Sequence, residues 1–264
     1  MRRIVRADAV CLRVRDYSES SKLVALLTAE HGRVDCIAKG ARRPRSKFGA
    51  ALDVFALARV IYYWHENRSL YTISDAELVK SHAGIALVPG RFVAAEQVTE
   101  FALRTVQQQD PHPSLFGLLT TYLDVIETTD SGFPALVCSF LLKATSFAGF
   151  RPELQRCVVC RAAVAPSEPV SFDAMRGGII CARCWDMTKL PGNLDRVPSP
   201  TQNTPLTPAE RATLCRLLYT AAEEIRAAGS SPDTSDPLPL VLSFLGHHFD
   251  PLVLHSFRWP AGLS

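Results

Sequence analysis

Two Cys-x-x-Cys pairs constrain this chain more than any other feature. Cys157 and Cys160 are followed, after twenty intervening residues, by Cys181 and Cys184. A two-residue gap lets both sulfurs of a pair turn toward one ion, and twenty residues suit a hairpin that carries the second pair back to the first. Val170–Phe172 and Gly178–Ile180 read as the strands of that hairpin, with Gly177-Gly178 at its bend. Four thiolates complete a tetrahedron and leave no position for water, so the expected occupant is a structural Zn2+. The remaining cysteines, Cys11, Cys36, Cys138 and Cys215, stand singly among apolar residues and read as small core side chains. The first residues, MRRIVRADAV, hold no apolar run of signal-peptide length, so reduced thiols are expected rather than a secreted disulfide framework.

The hydrophobic period changes along the chain. Over residues 4–80 it is that of strands: Ile4–Val14, Lys22–Thr28, Arg33–Ala38, Asp53–Trp64 and Leu70–Ser74 are separated by turn-rich segments, with Gly32 free to take φ > 0 after Ala29-Glu30-His31. Five short strands with no helical pattern between them predict a small antiparallel barrel or sandwich, and the oligonucleotide-binding (OB) barrel is the five-stranded candidate. After about residue 85 the period is helical. Phe92–Thr105, Ser114–Ile126 and Pro134–Ala148 each carry an apolar stripe. Thr207-Pro-Ala-Glu210 is a capping box opening a helix that runs to Gly229, and Leu238–His248 forms a last helix. The expected fold is therefore α+β and multidomain: an N-terminal five-stranded OB-fold barrel over 1–80, and an α-helical domain in two parts, 85–155 and 207–258. Between those parts lie an inserted four-cysteine zinc module over 156–190 and a Pro-rich linker over 191–206.

Charge is unevenly spread. The chain of 264 residues carries a net +3, but residues 1–50 hold twelve Lys and Arg against five acids, a local +7. The rest holds 17 cations against 21 acids, or −4. A basic block on a mildly acidic body points to a polyanion or an acidic protein as partner. Its densest part is Lys39-Gly-Ala-Arg42-Arg43-Pro-Arg45-Ser-Lys47. Gly40 and Pro44 oppose a helix, so the five cations are expected on a loop. Phe48, Tyr62, Tyr63, Trp64 and Tyr71 lie near it. Cations for the phosphates and aromatics for the bases make a single-strand binding surface; a solvated basic loop beside core aromatics is the plainer alternative. Within 157–184 only Arg161, Arg176 and Arg183 are basic, which disfavours the zinc module itself as the main nucleic-acid contact.

Absent motifs narrow the function. No Walker-type loop, GxGxxG, GxSxG or HExxH occurs, and the acids are dispersed rather than clustered. His247 and His248 are adjacent on a helix and point apart. No catalytic residue is therefore expected, and the chain is not read as an enzyme. The longest apolar run, Phe133–Leu142, ends at Lys143, well short of the ~20 residues of a membrane span. A soluble protein that stays in the cell where it is made is expected.

Several stretches resemble the bacterial RecO family of recombination mediators. They are Asp16–Val24, Thr28–Arg33, Lys39–Lys47, and Phe140–Leu154 leading into Cys157-Val-Val-Cys160. Phe172 with Gly177–Cys184 and Phe244–Phe249 complete the series, which runs in order over almost the whole chain. The resemblance implies an N-terminal OB domain and a helical domain with a zinc-finger-like module. It implies binding of single- and double-stranded DNA, annealing of complementary strands, and loading of RecA onto strands coated by single-strand-binding protein. RecR, the acidic C-terminal tail of the coating protein, and often RecF are the implied partners. Matched residue by residue, it assigns Lys39, Arg42, Arg43, Arg45 and Lys47 to DNA and Cys157, Cys160, Cys181 and Cys184 to zinc. The Pro-rich insert at 191–205 has no familiar counterpart.

Overall fold

The computed structural model describes residues 2–188, 203–228, 236–249 and 253–257. The chain divides into two compact units, Met1–Asp130 with Val253–Ser264, and Ser131–Leu252.

The first unit is built on a closed five-stranded barrel of order β1-β2-β3-β5-β4. Its strands are β1 (Arg2–Asp16), β2 (Lys22–Thr28), β3 (Gly32–Ala38), β4 (Leu57–His65) and β5 (Leu70–Lys80). All neighbours are antiparallel except β3 and β5, the OB topology. Closure depends on β1: its first half pairs with β4 and its second with β2. A register shift between Cys11 and Arg13 lets the strand bend from one partner to the other. Inward residues such as Val24, Leu26, Val34, Cys36, Val60, Tyr62 and Ile73 fill the barrel, and Phe48 and Leu52 join this core from a short 3-10 turn at Gly49–Leu52.

Two strands differ from the sequence expectation. The run expected from Asp53 starts as β4 only at Leu57, because Phe55 takes a left-handed backbone (φ 71°) that seats its ring beside Phe92, 5.6 Å away. β5 continues six residues past Ser74, since Ala76, Glu77, Leu78 and Lys80 still pair with β4. Those residues are half polar, which hid the strand. Gly32 does adopt φ +59°, and a Cβ there would lie 1.9 Å from the Asp110 carbonyl oxygen, so only glycine fits.

Helices α1 (Pro89–Thr105) and α2 (Pro113–Glu127) pack on the barrel. His82 is buried between the Phe55 carbonyl and the Asp124 carboxylate, each 2.8 Å from a ring nitrogen, and so ties α2 to the barrel. Glu100 on α1 accepts the backbone N–H groups of His255 and Ser256.

In the second unit α3 (Phe133–Phe147) packs against α5 (Pro208–Tyr219), α6 (Ala222–Ala228) and α7 (Leu238–His248). The capping box forms as expected: Thr207 Oγ1 accepts from the Glu210 N–H and Glu210 Oε2 from the Thr207 N–H. The single helix expected from there to Gly229 is instead broken at Thr220, whose ψ is 147°. Lys143 donates to the Thr220 carbonyl freed by the break. β6 (Val170–Asp173), β7 (Gly178–Cys181) and β8 (Asn203–Leu206) form a three-stranded sheet with β6 in the middle, and α4 (Ala182–Thr188) follows β7. The segment read as a Pro-rich linker lies outside the described residues up to 202, and its last four residues are β8. Pro205 is tolerated there because β8 is an edge strand.

Candidate metal centre and nucleic-acid interface

The hairpin expected between the cysteine pairs is present. β6 and β7 pair antiparallel from Val170–Cys181 to Asp173–Gly178, and Gly177 turns with φ +69°. Gly178 is held close to the preceding segment; a Cβ on it would meet the Glu153 carbonyl oxygen and Val158 Cγ1, both at 2.6 Å. The first pair sits on a tight loop. Arg161 N–H donates to Cys157 O and Cys157 N–H to Ala162 O, both at 2.9 Å, with Arg161 in the left-handed region. Val158 N–H donates to Ile179 O, which docks that loop on β7. Cys181 closes β7 and Cys184 lies on the first turn of α4.

These elements gather the four sulfurs within 4.8 Å of one another. Cys160 and Cys181 Sγ are 3.9 Å apart, far beyond a disulfide bond. Zn–S bonds of about 2.3 Å place the corners of a tetrahedron about 3.8 Å apart, so the donor set fits a tetrahedral thiolate-bound ion. The electrostatics agree. Burial works to raise the Cys157 thiol, but backbone N–H groups of Cys160, Cys181 and Val159 aimed at its sulfur bring it down to about 7. Burial and the neighbouring sulfurs push Cys181 and Cys184 up. Four adjacent thiolates repel one another, and a dication relieves that repulsion.

Arg211 of α5, which sequence reading missed, secures this module. Its guanidinium is buried and donates to the carbonyls of Leu154 (2.8 Å), Ala165 (2.7 Å) and Val164 (2.9 Å). Those acceptors precede and follow the Cys157–Cys160 loop, so one side chain holds both of its ends to the helical layer.

On the barrel, Lys39–Lys47 is an irregular loop joining β3 to the 3-10 turn, and Lys39, Arg42, Arg43, Arg45 and Lys47 are all exposed. They are not equivalent. Arg42 is 3.2 Å from the Asp16 carboxylate and donates to Ser18 O. Lys47 donates to Ser74 O on β5 and lies over the Phe48 ring. Lys39, Arg43 and Arg45 have no ion pair among the described residues. Of the five aromatics near the loop, Phe48, Tyr62 and Tyr71 belong to the barrel core, while Tyr63 and Trp64 are half-buried, with the Arg3 guanidinium over the Trp64 ring. Three of the four isolated cysteines behave as expected for core thiols: Cys11, Cys36 and Cys138 are buried, and burial raises each, Cys11 to about 12, whereas Cys215 is only half-buried on α5. His247 is exposed, while His248 packs against Phe150 and Phe244 and bonds the Ala174 carbonyl. Among the described residues, no helix is long and apolar enough to cross a membrane.

An OB-fold barrel with an exposed basic loop, followed by a helical unit carrying a four-cysteine module, defines the class of this two-part protein. The family model described as "Recombination protein O N terminal" matches residues 1–82, and "Recombination protein O C terminal" matches residues 89–248. A curated relative, the DNA repair protein RecO of Anaeromyxobacter sp. (strain K), is 34% identical over 248 residues, covering 92% of this chain and 91% of that one. The DNA repair protein RecO of Symbiobacterium thermophilum is 34% identical over 184 residues, 69% of this chain and 72% of that one. That of Rubrobacter xylanophilus is 31% identical over 239 residues, 90% and 89% of the two chains. The chain belongs to the RecO family of DNA repair proteins.

Proposed function

We propose that this chain is a recombination mediator that works by binding rather than by bond-making catalysis. It binds single- and double-stranded DNA, anneals complementary strands, and helps load recombinase onto strands coated by single-strand-binding protein. The observation that carries this reading is the exposed loop of five cations on an OB barrel, three of them without an ion pair among the described residues. Annealing brings two polyanions together. A cationic surface that displaces condensed counterions lowers that repulsion, and binding should weaken with salt by a log–log slope of about −0.7 per phosphate contacted on a single strand. Lys39, Arg43 and Arg45 supply the main phosphate contacts, with Arg42 and Lys47 beside them. Cys157, Cys160, Cys181 and Cys184 hold a structural Zn2+, whose chemistry here is to cross-link the two knuckles. RecR, the acidic tail of the coating protein, RecF and RecA are the partners expected of a family member, acting in the cytoplasm where the nucleoid lies.

The test is annealing of two complementary strands, each coated with single-strand-binding protein, without ATP. Acceleration by this protein that is lost in an Arg42→Ala/Arg43→Ala/Arg45→Ala variant is the expected result. No acceleration by a folded, metal-loaded protein refutes the mediator reading. Acceleration undiminished in the variant refutes the loop as the DNA site.

A further inference from the structure

The barrel carries a second feature that the basic loop does not account for. An open cleft of about 450 Å³ lies where β3 ends and the β4–β5 turn begins. It is lined by Lys39, Tyr63, His65, Arg68, Leu70 and Thr72, with an edge of Tyr71. The strand register explains the grouping. Thr72 pairs with both Ile37 and Tyr63, so their side chains form one row across the outer face, with Lys39 two residues past Ile37, just beyond the end of β3. Asp35 pairs with Leu70 in the next row, and Arg68 sits in the turn that follows His65.

Three properties of the cleft point to its occupant. Its cations, Lys39 and Arg68, stand at opposite ends of the Ile37–Thr72 and Asp35–Leu70 rows, and among the described residues no acid lines it. The carboxylate of the next row, Asp35, is neutralised by a two-point contact with Arg33. Between the cations lie flat or apolar surfaces: the Tyr63 ring, the His65 imidazole and Leu70, which is 41% exposed. Finally, His65 lines the cleft, and its Nδ1 is shielded from solvent with no hydrogen-bond partner among the described residues, a polar atom that a ligand could satisfy. A volume of this size suits a ligand of nucleotide scale but excludes a duplex, whose bases are stacked inside it.

We propose that this cleft seats an unpaired base of a single strand against Tyr63 and His65, with the strand's backbone running from Arg68 to Lys39. This rests on the DNA-binding reading above and adds to it a division of labour. The loop contacts phosphates of any strand, while the cleft accepts only a base that is free of its partner. The basic loop lies alongside, since Lys47 is anchored to Ser74 on the same strand β5.

The experiment measures affinity of the full-length, zinc-loaded protein for a fluorescent oligothymidylate and for a duplex, at one salt concentration. Tyr63→Ala and Arg68→Ala should each weaken single-strand binding about tenfold and leave duplex binding within twofold. Tyr63→Phe, which keeps the ring, should bind the single strand like wild type. Photo-cross-linking of a 5-iodouracil strand should map to Tyr63 or His65. Equal losses on single strand and duplex, or no loss on either, overturn the cleft, as does cross-linking confined to other residues. The loop reading is judged separately: it fails if Arg43→Ala/Arg45→Ala binds both DNAs like wild type, or if wild type binds neither.

Discussion

Replacing Arg211 with Met tests how the cysteine module is held to the helical unit. Met preserves much of the side-chain volume but donates no hydrogen bond. In wild type the guanidinium satisfies three carbonyls, those of Leu154, Val164 and Ala165, at 2.7–2.9 Å. Arg211 is only 4% exposed, so water cannot replace it at the buried Leu154 and Val164 carbonyls without opening the structure, while the Ala165 carbonyl is partly buried. Each buried acceptor left without a donor costs ~1–3 kcal/mol, and partial relaxation of the 154–165 segment makes the three less than additive. A loss of about 3–5 kcal/mol follows, a large part of the 5–15 kcal/mol typical of a domain. For a unit of this size, Ser131–Leu252, that loss lowers Tm by roughly 10–20 °C. The assay is thermal unfolding of the full-length protein, read together with the rate at which a chelator extracts the metal. The transition of the second unit should fall, that of the barrel unit should stay, and extraction should accelerate. Arg211→Lys should recover less than half of the loss, because one ammonium cannot fork to three carbonyls. A Tm within about 3 °C of wild type for Arg211→Met, with unchanged extraction, would refute the reasoning.

Three further outcomes are expected. Cys181→Ser should abolish stoichiometric metal binding and lower the second unit's melting transition, as should chelation of the wild type; a metal content near one per chain after the substitution contradicts the four-thiolate site. Gly32→Ala should destabilise the barrel unit by about 2 kcal/mol or more, because its Cβ would sit 1.9 Å from the Asp110 carbonyl oxygen at φ +59°; a change under ~0.5 kcal/mol in chemical denaturation counts against that packing. Burial raises the Asp124 carboxyl, but hydrogen bonds from Lys80 and His82 outweigh burial and hold it below the usual carboxylate range. The stability it adds is thus present above the ordinary value of about 3.9 and lost as pH falls through its lower folded value. Asp124→Asn should therefore flatten the loss of stability below about pH 4, by under ~1 kcal/mol because the carboxylate is half exposed. Parallel acid curves for the two proteins dispose of this prediction.

What the sequence determined by itself is what short-range chemistry encodes. Alternating apolar residues marked β1, β2 and β3, and Thr207 with Glu210 marked the start of α5, because both signals are complete within a few residues. The cysteine spacing likewise set the hairpin of β6 and β7, since the ligands must converge on one point. Tertiary structure decided whatever depends on a distant partner. Tyr62 and Tyr63 are neighbours of the same type, yet the barrel's closure turns one inward and leaves the other at the cleft. Arg211 lies 57 residues from Leu154, and nothing in the local pattern of α5 distinguishes it from a solvated arginine. The break at Thr220 and the recruitment of Asn203–Leu206 as β8 arise the same way, from a carbonyl met by Lys143 and from pairing with β6. His65 and Arg68 carry no sequence signal at all. They become one surface with Lys39 only because β5 lies between β3 and β4.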